Sequence, residues 1–207
     1  MKKSRIAEVL SGLIDLIVAG LLWLVCSLPV FTLGASTSAL YYAVAKCVRH
    51  NRGQLTPTFF QGFRDNFRPA SLIWLIMIAY ALLGLADAYA IRMMGYGPGT
   101  VLYNLSIIFF LPLFFLFPWV FAYISRFQNT VKGTLKYCVW LMLHHIGKSI
   151  LLALTVLVFL LFCWLIPFLI PLLPAAFCLM ASLIIEPVFR LLQQDAPDQN
   201  PDAWYNE

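Results

Sequence analysis

Charge is what this 207-residue sequence has least of: Asp, Glu, Lys and Arg make up 11% of it, against about 25% in ordinary soluble domains. The hydrophobic share is 62% and the mean hydropathy +0.85, which excludes both a soluble globular domain and a chain disordered throughout. Cysteines number five, an odd count, contain no CxxC pair and lie mostly inside apolar runs. A disulfide-stapled module is thereby excluded, and Cys26, Cys47, Cys138, Cys163 and Cys178 read as small apolar fillers. Catalytic signatures are equally scarce. There is no HExxH, no phosphate loop, no serine with a base at readable spacing and no paired carboxylates, so no catalytic residue, no cofactor and no metal is expected. What these absences leave is a polytopic membrane protein.

The chain opens Met-Lys-Lys-Ser-Arg before an apolar run, as a secretory signal does. The run lacks a small-x-small cleavage site, carries Asp15 and continues past the usual h-region length, so it reads as a first membrane helix over residues 7–28. Pro29 and Gly34 stop it, and Ser36, Thr37 or Ser38 can cap a second helix ending near Arg49. That helix is short for a crossing unless the Pro29 to Gly34 turn sits within the bilayer boundary. Its Ala35, Ala39 and Ala43 recur every fourth position, a small-residue stripe that lets backbones approach. Longer spans are expected over 70–91, 101–125, 149–166 and 172–189, with Pro112 and Pro118 as kink sites in the second of these.

Between the spans lie two amphipathic connectors. In the first, Thr56 and Pro57 start a helix that places Phe59, Phe63 and Phe67 on one face and Arg64 and Arg68 on another. In the second, Lys132, Lys136, Trp140, His144 and Lys148 are spaced by four. Both are expected to lie in the membrane interface, with rings in the acyl boundary and Arg64, Arg68, Lys132, Lys136 and Lys148 contacting anionic headgroups. The whole is an all-α integral membrane protein of about six membrane-inserted helices, the second short, plus two interfacial helices. It forms one domain over 1–190, followed by an acidic, disordered tail over 191–207. If the chain starts inside and crosses six times, thirteen of the fourteen Lys and Arg residues fall on the inner side and only Arg92 outside. This asymmetry puts both termini on the inner face of the membrane. The basic balance, clustered beside apolar spans, points to anionic lipid as the partner and away from nucleic acid.

Ionisable residues inside spans are candidates for function. Asp87 lies five residues before Arg92, Glu186 four before Arg190, and Asp15 near the inner end of the first helix. The plain alternative for each is an interfacial acid that snorkels or pairs with its helical neighbour. Arg126 ends a long span and reads as a headgroup anchor, with an anion clamp as the rarer role. His144 and His145 are adjacent histidines, which tempts a metal assignment, but adjacent helical positions diverge by about 100°, so one ion cannot readily take both. Asp87, Arg126, His145 and Glu186 are carried forward as candidate binding residues.

The stretch Pro29-Val30-Phe31-Thr32-Leu33-Gly34-Ala35-Ser36, followed by Ala39-Leu40-Tyr41-Tyr42, resembles the opening signature of the YesL family of small bacterial membrane proteins of unassigned function. Phe59, Phe63, Asn66 and Phe67, then Pro118, Ser125, Arg126 and Phe127, then Lys136, His145 and Ser149 extend the resemblance over most of residues 6–190. It implies five or six spans and an association with carbohydrate uptake or glycan degradation, and carries no catalytic or ligand residue with it. The polar inventory of the spans is thin for a hydrophilic substrate path. The expectation is therefore a non-enzymatic accessory or assembly component linked to carbohydrate uptake, working beside a membrane transporter. The alternative is a small permease or channel acting through self-association, with the break at residues 29–36 lining its path. Reporter fusions test the topology: a fusion at Gly97 should report outside and one at the C-terminus inside, and an outer signal from the C-terminus would sink it.

Overall fold

The computed structural model describes residues 5–50, 53–96, 100–127, 129–166, 169 and 171–195, and among these every regular element is helical. Eight α-helices follow in chain order: α1 (Arg5–Cys26), α2 (Leu33–Ala43), α3 (Leu55–Met93), α4 (Val101–Ile108), α5 (Leu111–Ile124), α6 (Val131–His144), α7 (Ile146–Leu165) and α8 (Leu173–Asp195). A 3₁₀ turn, Val30–Thr32, leads into α2, and a π-turn, Val44–Arg49, prolongs it. Among the described residues, four segments are long and apolar enough to cross a membrane: Leu55–Met93, Val101–Ile124, Ile146–Leu165 and Leu173–Leu192.

The short helix α2 forms the centre of the bundle, touching α1, α3, α5 and α8. Ala35, Ala39 and Ala43 are all fully buried, as their stripe predicts. Close approach is enforced at Gly34, where an added Cβ would stand 2.5 Å from the Ala70 carbonyl oxygen and 2.6 Å from Trp74 Cβ. One end of α2 thus lies against Ala70 and Trp74, and its other end lies against Gly62 through Tyr42, so α2 runs antiparallel to the first half of α3. The expected caps at Ser36, Thr37 and Ser38 are not used. The helix already starts at Leu33, and the Ser36 and Thr37 hydroxyls donate back to carbonyls of the preceding turn at Thr32 and Leu33.

The first connector and the span after it are one continuous 39-residue helix, with Pro69 accommodated inside it. One ring of the connector is turned fully into the protein and the other two only in part. Phe59 is fully buried, while Phe63 and Phe67 pack half-buried on the core in an aromatic run with centroids 6.4 and 5.5 Å apart. Arg64 and Arg68 lie on the exposed side as expected. The second connector, α6, is a separate helix capped by Thr130, whose hydroxyl accepts from the Gly133 amide at 3.2 Å. Thr134, Cys138 and Leu141 are buried, and Lys132, Lys136 and His144 are exposed.

The span expected over 101–125 divides at Phe109 and Phe110 into α4 and α5, with Pro112 in the first turn of α5 and Pro118 inside it. At the far end, α8 continues to Asp195, so the first five residues of the expected tail are helical. The rest of the tail, and residues 97–99 of the Gly-rich turn, lie outside the described residues. The burial difference sets a test. Phe59→Ala should cost about 3–5 kcal/mol of stability, and Phe60→Ala, at a half-exposed neighbour, much less. Thermal unfolding of both variants in detergent would read the difference, and equal losses would contradict the packing of α3 on α2.

Candidate functional site

The sequence-selected candidates come together only in part. Arg126, one residue past the end of α5's cap, and Glu186, in the second half of α8, meet in a buried ion pair whose side chains are each 1% exposed. Glu186 is therefore not paired with Arg190, which is exposed on the same helix, and Arg126 is not a headgroup anchor. The spacing rule fails because Arg126, brought in from the end of α5, takes the Glu186 carboxylate inside the bundle, while the Arg190 side chain lies exposed. The second carboxylate oxygen of Glu186 accepts from the Tyr41 hydroxyl of α2 at 3.4 Å. Arg126 also lies over the Phe189 ring, 5.6 Å from its centroid, a cation–π contact with the residue one turn after its acid partner.

A second guanidinium joins α2 to α8. Arg49, at the end of the π-turn, donates to the Ser182 carbonyl. The wider turn of a π-helix re-aims the residues at its end, and such turns recur at functional sites. Downstream, Pro187 lacks the amide that would bond the Leu183 carbonyl, loosening this stretch of α8 beside the Glu186 pair. Aromatic rings close the cluster: Phe189 packs edge-on against Phe127 at 5.3 Å and Tyr123 at 6.3 Å, and Trp119 lies fully buried beside them. The indole of Trp119 donates to the Ser149 hydroxyl at 3.0 Å, and that hydroxyl in turn meets the Met142 carbonyl at 3.0 Å. This chain of bonds ties α5 to the junction between α6 and α7.

The other candidates stand apart. Asp87 is exposed on the far half of α3 and makes no ion pair among the described residues. His145, at the α6–α7 junction, meets the His144 ring edge-on at 5.0 Å, and its carbonyl accepts from the Ser149 amide. Burial, then the Lys148 and His144 charges, push the His145 imidazole below its ordinary value. Lys132 and Lys136 are exposed and Lys148 is half-buried. No group of His, Cys, Asp or Glu among the described residues could hold a metal ion.

Residues 16–88 match the model of a family described as "Protein of unknown function, DUF624". The match covers the second half of α1, all of α2 and α3 as far as Ala88, which is the unit in which the short helix packs on the long one. No curated protein matches, and no solved structure does.

Tyr41 and Arg49 carry no local signal of a site. Tyr41 is 145 residues from Glu186 and Arg49 is 133 from Ser182, so only the folded chain brings them together. Removing one partner of a buried pair strands the other, at a cost of about 3–5 kcal/mol. Glu186→Gln and Arg126→Met should each lose stability on that scale, and the double variant should lose much less than the sum of the two. Detergent unfolding of all three reads the coupling, and additive losses would mean that the two groups do not act as a pair.

Proposed function

We propose that this protein is a non-enzymatic membrane accessory or assembly component of the bacterial cytoplasmic membrane, with both termini inside, serving a carbohydrate uptake or utilisation system. The link to carbohydrate rests on the resemblance to the YesL family. The accessory role rests on one observation: the buried pair Arg126 and Glu186 and the half-buried Arg49 are all engaged within the protein. Glu186 is held by Arg126 and Tyr41, and Arg49 is turned onto the Ser182 carbonyl. Groups that replace a sugar's hydration shell must be free to turn toward a path. Here they are committed to joining α2, α5 and α8. The break at residues 29–36, which a permease would use as a path lining, likewise directs its hydroxyls inward, with Ser27 and Ser36 2.7 Å apart and the Thr32 hydroxyl on the Cys26 and Pro29 carbonyls. The clefts beside α7 are lined by apolar side chains such as Phe114, Phe117, Val156 and Phe159.

A scaffold of this kind presents a membrane partner with a rigid helical surface and a basic fringe on its inner side. The experiment has two arms. Purified protein in liposomes should carry no sugar, and deleting the protein from its host should reduce the abundance of an assembled carbohydrate transporter in the membrane. A specific solute flux abolished by Asp87→Asn or Glu186→Gln would overturn the accessory reading in favour of a small oligomeric permease.

A further inference from the structure

Arginines outnumber their counter-charges where α2, α5 and α8 converge. The π-turn that prolongs α2 ends with Arg49 and is followed by His50, Arg126 follows α5, and the second half of α8 carries Glu186 and Arg190. Glu186 is already held at both oxygens, by Arg126 in the buried pair and by the Tyr41 hydroxyl at 3.4 Å. Arg49 is half-buried, and its one hydrogen bond among the described residues goes to the Ser182 carbonyl. Arg190, one turn past Glu186, is exposed, and neither Arg49 nor Arg190 has an ion-pair partner among the described residues. A guanidinium offers several N–H donors in a rigid fork, so a single carbonyl leaves Arg49 with most of its donors and its whole charge to spare.

These groups are close enough to act on one another. Arg49, Arg126 and Glu186 all lie within electrostatic reach of Tyr41. Burial, then the Arg49 charge, push the His50 imidazole below its ordinary value; Glu186 opposes them, and Arg190 and Arg126 add to the push. Three guanidiniums thus bear on His50 against one carboxylate. Like charges held partly out of water repel at a cost that solvent would otherwise screen, and an anion bound among them removes that cost. The groups left over are donors and positive charges, so a neutral sugar, which asks for acceptors as well, gains little here. A phosphate fits, because its oxygens match the guanidinium fork two at a time and it brings the negative charge that the cluster lacks.

We propose that Arg49 and Arg190, with His50 beside them, form a binding site for a phosphate group at the end of the bundle where the π-turn meets α8. The Arg126–Glu186 pair stays closed on binding, and by staying closed it keeps its carboxylate from competing for Arg49. The apolar segment of α8 ends at Leu192, two residues past Arg190, so Arg190 lies where hydrocarbon gives way to headgroups and water. A phospholipid headgroup and a free phosphate can both reach it there, and both meet the same two arginines. The site is the same for an accessory component and for a permease. The plainer role for Arg49, a tie between the π-turn and α8 through the Ser182 carbonyl, needs one N–H and no charge.

That difference sets the test. Arg49→Gln keeps an N–H for the carbonyl and removes the charge, while Arg190→Gln alters an exposed residue without an ion-pair partner. Isothermal titration calorimetry of the full-length protein in a neutral detergent reads binding of short-chain phosphatidylglycerol in one arm and of inorganic phosphate in the other. Saturable binding is expected in at least one arm, weakened about tenfold by Arg49→Gln and roughly threefold or more by Arg190→Gln. Replacing Arg64 and Arg68 together with Gln removes two exposed arginines from α3 and should leave the affinity within about twofold, since distant exposed charges are screened. Lipid binding that excess phosphate does not displace makes a headgroup the source, and binding of phosphate alone makes it a soluble ligand; either result supports the site. Absence of saturable binding in both arms would overturn the proposal. So would an unchanged affinity in Arg49→Gln, or a loss in the α3 double variant equal to that in Arg49→Gln, which would reduce the effect to diffuse attraction. Should Arg49→Gln fail to fold, Arg190→Gln carries the decision, and an affinity unchanged there would overturn the site.

Discussion

A polar group carried into hydrocarbon has no water to turn to, and most of this structure follows from how that constraint is met. Helices satisfy their own backbones, so the difficulty falls at the places where helices stop or bend and at the few side chains that carry charge. At the α1–α2 turn, Thr32, Ser36 and Trp74 take up the freed carbonyls. In the second half of α8, Glu186 and Arg126 satisfy each other with help from Tyr41. The bundle is joined at these points, since each solution draws its partners from different helices.

Small residues make the joints possible. Gly34 and the alanine stripe let α2 approach α3 closely enough for Trp74 to reach the turn, and Gly62 admits Tyr42 at the other end of the contact. Gly20 does the same for α1, where an added Cβ would collide with the Pro171 carbonyl oxygen. In lipid, where tails are as apolar as leucine, such close approach supplies the packing and hydrogen bonds that hold helices together. The first connector belongs to this arrangement. Phe59 joins the core with Phe63 and Phe67 packed partly buried against it, and the connector's arginines are left on the outside.

A helical membrane bundle could be read from composition and from the lengths of the apolar runs, because hydrocarbon thickness fixes how much apolar chain a crossing needs. The alanine stripe on α2 and the two-faced character of both connectors were readable for the same reason, since helical periodicity puts every third or fourth residue on one side. Partners were another matter. Glu186 and Arg190 satisfy the local spacing for an ion pair, and Phe59, Phe63 and Phe67 satisfy the pattern of an interfacial helix, yet both patterns state only that one face differs from another. They do not state what the face meets.

Sequence alone therefore determined the solvent: low charge and long apolar runs require a bilayer, and the periodicity within those runs requires helices. The tertiary structure alone decided that Arg126 takes Glu186, that Arg49 takes the Ser182 carbonyl, that Phe59 is core, and that the α1–α2 turn ends beside Trp74. The physical reason is the range of the forces involved. Hydrophobicity and helix periodicity act along the chain within a few residues, whereas the pairing of buried polar groups depends on which helices the close-packed small residues have already brought together.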